Sequence, residues 1–215
     1  MNRKFISFSK KIYQCNKCTR LVNFRNKISL KKRKSYLDQV YWGKPISGFG
    51  DLNGNIIIIG LAPAAHGATR TGRVFTGDKS ADFLFNCLFK SGLSNQPNSD
   101  HINDGLKLKN TFITLALRCV PPEDKPTKEE LKNCSAFFKE ELNMIKNKKV
   151  IVALGKIAFD ACIKFYKENY GLMGSYKFGH GSKYDINGLT IFGCYHPSPR
   201  NVNTKRINTT KMTYL

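Results

Sequence analysis

Two runs of residues in this 215-residue chain are composed for chemistry rather than for packing. The first runs Gly60-Leu-Ala-Pro-Ala-Ala-His-Gly67 and continues to Arg70-Thr-Gly-Arg-Val-Phe-Thr-Gly-Asp78. Its glycines and small side chains cannot fill a core, but they let backbone come close to something flat or anionic. The second, His196-Pro-Ser-Pro-Arg-Asn201, is stiffened by two prolines. Each follows an apolar run that reads as a buried strand, Ile56-Ile-Ile-Ile59 and Thr190-Ile-Phe-Gly-Cys-Tyr195. A parallel sheet collects ligands beyond the carboxyl ends of its strands, so both runs are expected to reach one crevice.

Seven cysteines form the next chemical set. Cys15-Asn-Lys-Cys18 alone fits half a zinc site, a redox pair or chance. Cys119, at the end of a strand, and Cys134, inside the following helix, alter the balance. Four thiolates, one close pair and two brought in by the fold, suit a [4Fe-4S] cluster pinning the N-terminal segment to the sheet. Four-thiolate zinc competes, although it usually takes two tight knuckles. Cys87, Cys162 and Cys194 occupy apolar helix or strand positions and read as core.

Charge narrows the partner. Thirty-six Lys plus Arg against 15 Asp plus Glu leave a formal +21, an excess that favours polyanions through counterion release at phosphates. Basic residues also flank both motif runs, at Arg70, Arg73, Lys79, Arg200, Lys205 and Arg206. The N-terminus is basic, with no apolar run long enough for a signal peptide or membrane helix. The expectation is a cytoplasmic, nucleoid-associated monomer that meets DNA and no membrane, with its thiols in a reducing compartment.

The elements that must hold these residues alternate. Apolar runs at Asn55–Gly60, Thr111–Leu117, Lys149–Leu154 and Leu189–Tyr195 read as four buried strands. Helical patterns separate them at Ser80–Leu93, Thr127–Lys146 and Lys156–Tyr170, the second opening on a Pro-Thr cap with Glu129 and Glu130 in its first turn. Alternating strands and helices predict a three-layer α/β/α sandwich around a central, mainly parallel four-stranded sheet, all within one domain. Lys10 to Arg20 is expected to be helical, and Tyr41 to Asp51 an ordered loop approaching a ligand or a strand edge. Residues 1–8 and 209–215 are expected to be loosely ordered.

The motifs together, Tyr41-Trp, Pro45, Gly48-Phe-Gly-Asp51, the two glycine-rich runs, Arg118-Cys-Val-Pro-Pro122, Phe178-Gly-His-Gly181 and His196-Pro-Ser198, resemble the iron–sulfur uracil-DNA glycosylases, especially family 5 or type b. The resemblance spans roughly Lys10 to Asn208 and implies hydrolysis of the bond between a damaged base and deoxyribose, without strand cleavage. It places cluster ligands on Cys15, Cys18, Cys119 and Cys134, and the base pocket on Gly60, Leu61, Ala62, Pro63, Ala64, Ala65, Phe75 and Leu115.

That chemistry demands particular groups. An everted pyrimidine needs a flat partner, which Phe75 offers. The departing base gains negative charge, and by resemblance His196 is the donor that steadies it. A carboxylate must orient water and offset charge on the sugar; Asp78 takes that position, although it also precedes the Ser80 helix and could simply cap it. DNA contacts are expected from Arg70, Arg73, His180, Ser198, Arg200, Asn201 and Arg206, with the loop after His196 entering the duplex.

One position departs from the family pattern. Many relatives carry Asn within the strand before Arg-Cys, where this chain has Leu115, which cannot read uracil by hydrogen bonding. Broader base tolerance or weaker activity is therefore expected. The competing reading is an iron–sulfur DNA-binding homologue with weak or lost turnover. A nucleotide-phosphate enzyme is disfavoured, since neither a Gly-x-Gly-x-x-Gly fingerprint nor a Walker lysine motif is present.

Overall fold

A computed structural model describes residues 3–186 and 188–215. In chain order its main elements are α1 (Arg3–Tyr13), α2 (Thr19–Leu30), β1 (Phe49–Gly50), β2 (Ile56–Gly60), α3 (Ala68–Thr71) and α4 (Lys79–Lys90). They continue with β3 (Thr111–Leu115), α5 (Lys128–Met144), β4 (Val150–Leu154), α6 (Lys156–Tyr170), β5 (Lys183–Ile186), β6 (Leu189–Cys194), α7 (Pro199–Asn203) and α8 (Thr209–Thr213).

The sheet has six strands in the order β1-β3-β2-β4-β6-β5, two more than the four apolar runs predicted. The central four, β3-β2-β4-β6, are parallel and correspond to those runs. The additions, β1 and β5, are antiparallel edge strands. A two-residue strand and the half-exposed Lys183-Tyr-Asp-Ile186 lack an apolar run, which is why periodicity misses them. Register holds the parallel strands level, Ile56 opposite both Thr111 and Val150, and Val150 opposite Thr190. Their carboxyl ends, Gly60, Leu115, Leu154 and Cys194, therefore share one edge of the sheet, which the site occupies.

Side chains alternate across the strands, as period two requires. Ile57, Ile59 and Ile151 face a core with Phe8, Phe138, Phe159 and Ile163, from α1, α5 and α6. Ile58, Ile113 and Cys194 face another with Leu84, Phe85 and Met212, from α4 and α8. Helix α6 runs over the predicted Lys156–Tyr170 and ends at Gly171, whose φ of +64° favours glycine. Helix α5 starts with a capping box between Thr127 and Glu130.

Three expectations need correction. From Arg3 onward the lead-in is helical, not loose: Phe5, Phe8 and Ile12 bury one face of α1, each side chain gaining about 1.5–3 kcal/mol from burial. The first two residues lie outside the described ones. The predicted helix over Lys10–Arg20 is broken at Cys15–Cys18, between α1 and α2. The C-terminal run forms α8, held by buried Met212.

Candidate active site

At the carboxyl edge of the sheet, a pocket of about 290 Å³, partly open to solvent, is lined by Ala62, Pro63, Ala64, Val74, Phe75, Asp78, Ser80, Leu115 and His196. Both expected catalytic groups thus face one cavity. Gly60 makes the packing possible: a Cβ there would come within 2.8 Å of the Phe75 ring and 2.9 Å of Leu115 Cδ2. Gly60 and Leu61 spend their carbonyls on Ala116 and Leu117 and stay in the sheet's extension rather than lining the pocket. Ala65 faces an adjoining groove instead.

Phe75 adopts φ +46°, an uncommon conformation for an aromatic residue. Its ring stacks on His196, with centroids 5.9 Å apart and planes 30° off parallel. Internal bonds hold this turn. Arg73 donates to Thr76, Ser99 and both carboxylate oxygens of Asp104, and Gly77 N donates to Ser99 O. Arg70 donates to the carbonyls of His66 and Gly77 and to Gln39 Oε1. Arg73 and Arg70 are only 5% and 9% exposed. Both were expected to touch DNA; instead their guanidinium donors turn inward and brace the glycine-rich loop.

Asp78 caps α4, its Oδ1 accepting from Ser80 N (2.9 Å) and Ala81 N (3.0 Å). The other oxygen lies against Gly67, where any Cβ would stand 1.9 Å from it. Capping and pocket-lining therefore coexist, and Oδ2 is left for the cavity. Burial pushes the Asp78 carboxyl above the usual carboxylate range, against the two backbone bonds that favour its charge.

His196 follows β6. Its carbonyl accepts from Ser198 N (2.8 Å) and Asn201 Nδ2 (2.9 Å), while Ser198 caps α7. Ser198 and Asn201, expected at DNA, thus fix the histidine's backbone. Burial lowers the His196 imidazole pKa, opposed by the charge of Asp124. The shift favours the neutral ring, which keeps one N–H able to donate. Arg200 and Arg206 are exposed beside this loop. His180 is half-buried, accepting from Tyr195 N and stacking on the Tyr195 ring.

Asp124 is the site residue that sequence reading missed. It and Glu123 sit at φ +56° and +54°, two strained non-glycine residues in succession. Asp124 lines the larger groove that shares Ala64 and Asp78 with the pocket. Its signal in the chain was slight, one of two adjacent acidic residues, Glu123 and Asp124, in a proline-rich turn.

The expected cluster ligands also meet. Cys15 and Cys18 in the α1–α2 turn, Cys119 beyond β3 and Cys134 on α5 line one pocket with about 340 Å³ of space. All four thiols are free. Their surroundings suit an anionic centre: Arg25 Nη1 donates to Cys119 Sγ (3.2 Å), Arg118 N to Cys134 Sγ (3.2 Å) and Asn133 to Cys18 Sγ (3.7 Å). Among the described residues, buried Arg25 Nε has no hydrogen-bond partner. Among the described residues, no three His, Cys, Asp or Glu side chains form a set that could hold a single metal ion.

Residues 47–214 match the profile of the Uracil DNA glycosylase superfamily. The chain is 42% identical over 200 residues to a type-5 uracil-DNA glycosylase of Pyrobaculum aerophilum, covering 93% of this chain and 85% of that protein. It is 40% identical to the type-5 uracil-DNA glycosylase of Thermus thermophilus, covering 94% and 90%. Similarity to a type-4 uracil-DNA glycosylase of Thermotoga maritima is lower, 28% over 155 residues. With the sheet, the glycine-rich loop and the His-Pro-Ser turn in place, the chain belongs to the uracil-DNA glycosylase superfamily, among its type-5 members.

Proposed function

We propose that this protein hydrolyses the N-glycosidic bond of uracil in DNA, releasing free base and leaving the strand intact for base-excision repair. The observation that carries this reading is the shared pocket of Asp78 and His196 at the carboxyl edge of the sheet. Everting a nucleotide costs a few kcal/mol of lost stacking and pairing. Phe75 offers the flat surface that recovers part of that cost. Phe75 and His196 rings 5.9 Å apart leave no room for a third between them, since two stacking gaps need about 7 Å. The base is therefore read as stacking on Phe75 beside His196, whose near-parallel ring meets the base oxygen edge-on, rather than slotting between the two rings.

As the bond breaks, charge separates. The neutral imidazole of His196 donates to the base oxygen as the ring departs as an anion, and buried donors of this kind contribute about 3–4 kcal/mol. The ionised Asp78, through Oδ2, orients the attacking water and offsets positive charge on the sugar. Its proton acceptance completes the hydrolysis.

The pocket wall at Leu115 is apolar and 1% exposed, so it offers no amide to the Watson–Crick edge. Base choice then rests on the backbone of Ala62 to Ala64, on His196 and on shape. We infer that other deaminated bases, hypoxanthine among them, are also taken. The four cysteines would hold a [4Fe-4S] cluster, with Arg25 beside it offsetting its charge. Such a cluster supplies a covalent clamp joining the α1–α2 turn to the sheet and α5. The active unit is read as one chain working on nucleoid DNA, because pocket and thiol ring are both complete within it.

Incubation with duplexes carrying one uracil tests the reading. Free uracil should appear, with strand scission only after alkali. DNA binding without base release would favour the inactive homologue instead. Comparable rates on uracil and hypoxanthine are expected, whereas strict uracil selectivity would refute the role given to Leu115.

A further inference from the structure

The groove beside the base pocket shows which cations remain for DNA on this side once Arg70 and Arg73 are spent internally. Four of its lining side chains are basic or imidazole, Arg33, His66, Arg70 and Lys79, and four are acidic, Asp78, Asp82, Asp100 and Asp124, so a phosphate is held only where a cation stands clear of the carboxylates. Arg70 is engaged through Nε, Nη1 and Nη2 by three internal acceptors, Lys79 is paired with Asp82 at 3.0 Å, and His66 is bonded to Tyr41 Oη at 2.9 Å. Among the described residues, Arg33 has no carboxylate partner. It belongs to a strap between α2 and the β1 approach, Lys31-Lys-Arg-Lys-Ser-Tyr-Leu-Asp-Gln-Val40.

The strap is fixed in place. Tyr36 lies under the Arg70 guanidinium, 3.9 Å from ring centroid to carbon, and Gln39 accepts from the same group. Trp42 N and Gly43 N then donate to Arg70 O and Thr69 O in α3. The arginine that braces the glycine-rich loop therefore also sets the distance between strap and base pocket. Outward, Leu37 and Val40 are 63% and 92% exposed beside Arg33 and Lys34, more apolar surface than a solvated loop requires.

We propose that the strap Lys31–Val40 is a DNA-gripping jaw in which Arg33 holds a backbone phosphate at the mouth of the base pocket. The partner is duplex DNA flanking the lesion, chosen by the four successive cations Lys31 to Lys34 of the strap and by its continuity with the Asp78 groove. This inference rests on the excision reading above and adds a residue that the motifs do not contain. An arginine fork at this place can grip a phosphate bidentately beside the groove that leads to Asp78.

Equilibrium binding across a salt series tests it, using a lesion-free duplex and one with a single abasic site. Arg33→Gln is compared with Lys139→Gln, an exposed cation on α5 beside a different depression. Arg33→Gln should weaken binding to both duplexes about tenfold near physiological salt and reduce the slope of log K against log salt by about 1. Lys139→Gln should match wild type, and all three should melt alike because both side chains are exposed. A slope and affinity for Arg33→Gln equal to those of Lys139→Gln would overturn the jaw. Wild type that releases no uracil, yet loses its slope on Arg33→Gln, would leave the jaw standing and the excision reading refuted.

Discussion

At the scale of single residues, Asp78 carries two loads that conventional variants separate. Asn retains the cap but not the charge, so Asp78→Asn should cut single-turnover excision by about 10²–10⁴. It should melt no lower than wild type. The carboxyl's folded pKa is raised, so between the unfolded and folded values the native state binds more protons. Folding is then weakened as pH rises through that window, and removing the buried charge does no harm to stability. Asp78→Ala also loses the cap and should cost about 1 kcal/mol in thermal or chemical unfolding. In activity the sign reverses. Excision requires the ionised form, so the rate should fall as pH drops through the raised pKa, at higher pH than an ordinary Asp would give. That Asp78 and His196 would line one pocket was legible because their motifs follow strands of the parallel sheet. Arg70 and Arg73 were misread because their partners, Gln39 and Asp104, are each 31 residues away and carry no local signal.

At the scale of elements, the buried Arg118–Glu141 pair ties the sheet to α5 beneath the site. Arg118 Nη2 lies 2.7 Å from Glu141 Oε2, Thr114 Oγ1 meets the same carboxylate, and Glu141 Oε1 accepts from Gly48 N. Glu141→Gln leaves an uncompensated buried guanidinium and should cost about 3–5 kcal/mol, read as a Tm lowered by about 10 °C for a chain of this size. A change within 2 °C, or about 1 kcal/mol, would mean the pair contributes little. Strands β2, β3, β4 and β6 declared themselves as unbroken apolar runs, and α6 by its period and following glycine. Edge strands β1 and β5 did not, because edges are short and half-wet, and their pairing is decided by β3 and β6. The N-terminal helix was hidden by its lysines, although Phe5, Phe8 and Ile12 have the spacing of a buried stripe.

At the scale of the whole molecule, the formal +21 predicts DNA affinity that falls steeply with salt. Much of that charge is exposed, whereas Arg70 and Arg73 support the loop that presents Phe75. The four-thiol pocket shares no lining residue with the base pocket, although Ala62 of the pocket wall packs in the apolar cluster with Cys18, Cys119 and Cys134, so its predicted role is structural support of that wall. Cys119→Ser should lower iron content and Tm together, and iron content unchanged from wild type would remove Cys119 from the ligand set. Most direct for the central claim is single-turnover excision of a uracil duplex by wild type, Asp78→Asn and His196→Ala, with DNA binding measured on the same samples. Both variants should bind within a few-fold of wild type and excise at least about 100-fold more slowly. Excision at the wild-type rate by either variant would contradict a pocket in which the carboxylate and the imidazole act together on one everted base.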